Sequence, residues 1–189
     1  MKIQSLLAIL IATTAASAMA ESSTYTIDPS HTYPSFEADH MGLSYWRGKY
    51  RKTSGTIMLD RAAKTGSVDI LIDAGSIDFG LDAMNAHAVK EDIFDVSKYP
   101  TIRYQSKSIT FKGEDPISID GELTLHGVTK PVTLVVGRFK CIMHPMHKKE
   151  VCGADASAVF NRADFGVTKG IPMFSPEVRL AIQVEAIKN

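Results

Sequence analysis

The feature that most limits what this chain can fold into is a hydrophobic period of two. Val178, Leu180, Ile182, Val184 and Ala186 alternate with Arg179, Gln183 and Glu185 near the C-terminus. Ile117, Ile119, Gly121, Leu123 and Leu125 alternate with Ser118, Asp120, Glu122 and Thr124, and Val68, Ile70 and Ile72 share one parity against Asp69 and Asp73. Alternation of this kind marks strands with one buried and one wet face. Turn-forming segments at 61–66, 112–116 and 127–131 separate strand-like runs at 56–60, 67–73, 101–111, 117–125 and 132–139. Such a series predicts an all-β antiparallel barrel or sandwich of about eight strands. Two stretches read as short helices, 41–45 and 81–94, the second with Asp82 as its expected cap.

A barrel of that size either fills its interior with side chains or holds one small ligand. Phe36, Trp46, Tyr50, Phe94 and Phe165 fall near strand starts and short helices, while Ala38 and Gly121 occupy positions expected to face inward. This distribution fits a hollow barrel with an aromatic mouth, and a closed, fully packed core accounts for it equally well.

Charge removes one class of function. With 21 Lys and Arg against 21 Asp and Glu, the chain has no electrostatic reason to seek a phosphate backbone or an anionic membrane surface. Its first twenty residues carry one charge, Lys2, then an apolar run from Leu6 to Ala12 and the small-residue ending Ala18-Met19-Ala20. That is the pattern of a secretory signal peptide cut before Glu21, leaving a single domain over 21–189. A membrane anchor is the alternative, against which stand the shortness of the segment and the interruptions at Thr13, Thr14 and Ser17. No other run is apolar enough to span a bilayer, so no stable membrane insertion is expected.

Export changes how Cys141 and Cys152 are read: two cysteines in an oxidising compartment point to one disulfide. The segment between them also holds Met143, His144, Met146 and His147. These soft ligands suit copper or zinc, so periplasmic metal handling is a rival reading, weakened if the thiols pair. No H-E-x-x-H, G-x-S-x-G or Gly-rich phosphate loop is present, and no nucleophile stands at interpretable spacing from a base. The chain therefore reads as a non-enzyme. His40 fits either a polar contact at the barrel mouth or a structural histidine, and Arg162 either a ligand contact or an ion pair.

Four segments taken in order make the chain resemble the YceI family of lipocalin-like, polyisoprenoid-binding proteins. They are Tyr25–Thr32 with Phe36, His40 and Trp46–Tyr50; Asn85–His87 with Asp92–Val96 and Tyr99–Ile102; Gly121–Val132; and Asn161–Gly166. The surroundings of Cys141 and Cys152 are similar to those in a subgroup that binds isoprenoid quinones. The resemblance implies an extended, lipocalin-like antiparallel barrel with one or two short helices near its mouth. It implies an apolar tunnel for an isoprenoid lipid and a periplasmic address, with Phe36, His40, Trp46, Tyr50, Phe94, Arg162 and Phe165 at the tunnel mouth. The ligand expected is a ubiquinone-like isoprenoid quinone, with no cofactor beside it; a fatty acid or amide is the rival amphiphile. A homodimer and a quinone-using membrane cytochrome are left open as partners, and no nucleic acid is expected. Two departures bear on tunnel width: Ala88 stands where the family usually has Leu, and Pro34 interrupts the second strand.

Overall fold

The computed structural model describes residues 22–189; the expected signal peptide lies outside the described residues. Eleven strands form one antiparallel sheet: β1 (Ser23–Ile27), β2 (Tyr33–His40), β3 (Ser44–Tyr50), β4 (Thr53–Asp60), β5 (Thr65–Asp73), β6 (Ile77–Asp78), β7 (Thr101–Lys112), β8 (Asp115–Leu125), β9 (Val128–Met143), β10 (Glu150–Asn161) and β11 (Phe174–Lys188). Among the described residues one α-helix, α1 (Asp82–Ala88), lies between β6 and β7.

The eleven strands make eight staves, because three staves are broken. β1 and β2 both pair with β11 in one continuous direction, Ile27 opposite Ala186 and Tyr33 opposite Gln183. β3 and β4 lie alongside them in the same way. β5 and β6 continue one another opposite β4 and β3. Pairing of β1 with both β4 and β11 closes an eight-stranded ring, β1-β4-β5-β7-β8-β9-β10-β11, leaving no exposed edge around it. Two of the breaks are tied together. Arg51 N–H donates to the Ser76 carbonyl, Lys52 N–H to Ser76 Oγ, and Asp73 N–H to the Lys52 carbonyl.

Side-chain alternation turns one face of every stave inward. Glycines appear where an inward ring crosses the backbone. A Cβ on Gly48 would sit 2.5 Å from the Phe36 ring, and one on Gly121 would sit 2.5 Å from Tyr104. Gly121 is therefore inward-facing as expected, yet its space is taken by Tyr104 rather than left open.

Four local expectations are corrected. Residues 41–43 form a turn rather than a helix, with Met41 and Gly42 both at positive φ, and the chain enters β3 at Ser44. The helix at 81–94 stops at Ala88, and turns follow it. Leu81, not Asp82, occupies the cap position, so Asp82 contributes only charge in the first turn. Ile117 is 40% exposed, because a bulge between Thr110 and Phe111 lets Pro116 and Ser118 take the partners on β7. Pro34 pairs with Ile182 on β11 beyond the end of the β3 ladder, which begins at Ser35, so it is tolerated where one neighbour is missing.

Candidate ligand-binding cavity

The inward faces do not meet across the barrel. They enclose a cavity of about 620 Å³, in the range of small-molecule sites. Leu180 and Ile182 on β11, Ile57 on β4, Ile70 on β5, Ile109 on β7 and Ile119 on β8 all line it. Each is an inward-facing residue that remains only partly buried. That is the signature of a wall facing a void rather than a packed neighbour. Ala154 and Ala156 on β10 line the same space, and their short side chains keep it open.

One end of the cavity is an aromatic collar. His40 stacks on Trp46 with ring centroids 4.1 Å apart and planes 9° apart, and on Phe174 at 4.7 Å. Trp46 meets Phe79 edge-on at 6.5 Å, Phe79 meets Phe36 at 5.4 Å, and Phe36 meets Tyr50 at 5.8 Å. Offset and edge-to-face pairs of this kind are the arrangements aromatic quadrupoles favour. The series leads from the rim into the barrel. Phe94, Met84 and His87 line the same cavity from α1 and the turns after it. Lys169 ties the 166–173 loop to that segment through a 2.9 Å ion pair with Asp92. Asp92 is held below the ordinary carboxylate range by this bond.

Arg162 lines the mouth without a carboxylate partner among the described residues. Its guanidinium donates to the carbonyls of Val167, Lys169, Phe174 and Ser175 at 2.8–3.2 Å. Burial pulls its pKa down. It therefore shapes the loop that borders the opening rather than forming the ion pair weighed from the sequence.

Six of the seven expected mouth residues line the cavity: Phe36, His40, Trp46, Tyr50, Phe94 and Arg162. Phe165 does not. It is 1% exposed, in the 3₁₀ turn after β10, and packs edge-on against Phe160 at 5.3 Å. Tyr50 belongs to the interior rather than the rim, with burial alone pushing its hydroxyl pKa up. Phe79 and Phe174 complete the collar, and nothing in the sequence pattern marks them. Phe79 follows a two-residue strand with no periodicity to flag it, and Phe174 follows the Gly170–Met173 loop. Pro34 lines the cavity whereas Ala88, the wholly buried last residue of α1, does not.

At the opposite end, Cys141 and Cys152 are directly paired residues of β9 and β10 and form a disulfide. This removes both thiols from the ligand set of the 143–147 segment. His144 Nδ1 accepts from the backbone N–H groups of Met146 and His147, while Met143 and Met146 are 70% and 82% exposed. Among the described residues no group of three or more His, Cys, Asp or Glu is placed to hold a metal ion.

Residues 25–186 match the YceI-like domain. The chain belongs to the YceI family. It is 31% identical over 186 residues to Protein YceI of Salmonella arizonae, covering 97% of this chain and 95% of that one. It is 30% identical over 168 residues to a UPF0312 protein of Azotobacter vinelandii, covering 87% of each. Among solved structures, Burkholderia cenocepacia BcnA superposes with a TM-score of 0.69 at 23% identity, over 84% of this chain and 98% of BcnA. A polyisoprenoid binding domain from Saccharophagus degradans gives 0.63 at 15% identity, over 87% and 98%. These likenesses establish the closed barrel of this YceI protein as the fold of its neighbours.

Proposed function

We propose that this YceI protein is a non-catalytic periplasmic carrier or store for a long-chain isoprenoid lipid, with an isoprenoid quinone as the preferred ligand. The observation that carries the reading is the apolar void enclosed by the barrel behind an aromatic mouth. The polyisoprenoid-binding structural neighbour supports the ligand class, and the resemblance to the cysteine-pair subgroup supports the quinone. The leader-like first twenty residues support the address.

The physics of such a site is set by the tail. Each buried CH₂-sized unit is worth about 0.8 kcal/mol gross. Ordering the chain offsets much of this, leaving about 0.3 kcal/mol per atom for ligands of moderate size. Tail length then dominates affinity, and head chemistry makes a smaller correction. Organic extraction of the protein purified from its own periplasm, followed by mass spectrometry, tests the proposal. An isoprenoid-bearing lipid at near one per chain is expected. A fatty acid or amide in its place would assign a different amphiphile, and protein free of any lipid would overturn the carrier reading.

A further inference from the structure

The cavity wall is largely apolar, with polar side chains at several points, Thr32, Ser35, Tyr50, Thr53 and Tyr104 among them. Tyr50 and Thr53 flank the break between β3 and β4. Residues three apart on a regular strand would face opposite ways. Here the exposed pair Arg51-Lys52, held by Ser76, adds a half-turn of register, so that both Tyr50 and Thr53 line the cavity. Tyr50 is 8% exposed and Thr53 4%.

The two hydroxyls share a second property. Thr53 Oγ1 is buried and has no hydrogen-bond partner. Burial pushes the Tyr50 hydroxyl pKa up; no hydrogen bond joins this hydroxyl to another described residue, and unlike Thr53 Oγ1 it is not fully enclosed. Tyr104 makes the contrast, since it lines the same cavity with its hydroxyl donating to the Ile119 and Val132 carbonyls at 2.9 and 3.0 Å. Buried polar atoms in folded proteins are nearly always partnered, and an orphan calls for an explanation. Valine and phenylalanine would fill the two positions with the same shape and leave nothing unsatisfied.

We propose that Tyr50 and Thr53 form a polar station inside the tunnel that takes an oxygen atom of the bound lipid. The chemistry it recognises is a carbonyl or hydroxyl oxygen carried on a prenyl chain, to which Tyr50 donates directly and Thr53 once its enclosed Oγ1 turns toward the void. Tyr50 lies four residues beyond Trp46 along the same stave, roughly 13 Å at strand rise. The oxygenated end of the ligand is therefore drawn below the aromatic collar instead of lying in solvent at the rim, and the collar rings cover it. This inference deepens the carrier reading and rests on it.

The test uses delipidated full-length mature protein and three probes of matched prenyl length: an unsubstituted hydrocarbon, the corresponding prenol, and a benzoquinone bearing the same tail. Affinities are compared between the wild type, Tyr50→Phe, Thr53→Val and the double variant, with thermal unfolding checking that each folds. The double variant is expected to lose roughly five- to tenfold in affinity for an oxygenated probe, with the hydrocarbon unchanged. A loss confined to the quinone assigns a ring carbonyl to the station, and a loss confined to the prenol assigns a hydroxyl. Equal change for hydrocarbon and oxygenated probes, or no change for either oxygenated probe, overturns the station while leaving the carrier reading intact. Failure of the wild type to bind any of the three sinks the carrier reading, and the station with it.

Discussion

At one end of the barrel Tyr25, Ile27, Leu59, Cys152 and Ala186 pack together, with Phe111, Phe139 and Cys141 against them. Tyr25 donates to Glu150 at 2.6 Å, and Arg61 lies over the Phe139 ring while bonding Asp115 at 3.0 Å. At the other end the rings of His40, Trp46 and Phe174 border an opening, and Met41, Leu43, Leu81 and Met173 stand more than half exposed. The same β-period builds both. The difference lies in what crosses the axis: large side chains meet at the first end, whereas at the second the loops stand apart and alanines line the wall between. A plugged end and an open end make a blind tunnel, which suits a ligand that enters lengthwise.

That contrast is breakable by substitution. Ile27→Ala, at a packed position of the plugged end, is expected to cost about 2–5 kcal/mol in urea unfolding and to leave lipid content intact. Leu180→Ala, on the half-buried wall of the void, is expected to cost only about 1 kcal/mol, because less packed surface is lost there. Equal costs at the two sites would mean the interior is as solid as the plug. Removing the disulfide with the pair Cys141→Ser and Cys152→Ser is expected to cost about 3 kcal/mol or less for so short a loop. Lipid binding at the far end should persist, as read by extraction.

Acid sharpens the comparison at the β1–β2 break. Asp28 sits at about 2 against an ordinary 3.8: burial opposes ionisation, but hydrogen bonds from Ser30 and His31 outweigh it. A depressed carboxylate stabilises the folded state above its ordinary value and loses that contribution as pH falls from about 4 to about 2. Asp28→Asn should flatten the loss of stability across that window, measured by unfolding at successive pH values. The smallest effect is expected at the rim. Lys169→Ala removes an exposed pair with Asp92 and should change stability by no more than about 1 kcal/mol.

The all-β class was legible because alternation on β5, β8 and β11 is local, and local signals survive in sequence; barrel rather than sandwich followed only from the family resemblance. The hollow was not legible. Leu180 facing a void and Leu180 facing a neighbour give the same period, and only the positions of the other seven staves distinguish them. For the same reason Tyr50 reads as a rim residue until the break at Arg51 is seen. The inward parity of Thr53 is set by that same irregularity. Phe165 has the sequence look of a binding aromatic, but the turn after β10 folds it into the core.

The most direct test of the hollow is a tail-length titration. Delipidated protein is titrated with a benzoquinone head bearing no prenyl unit and then with tails of increasing length. The account predicts that affinity rises by roughly tenfold per isoprene unit until the tail fills the tunnel. A bare head group binding as tightly as the long-tailed quinone would contradict it.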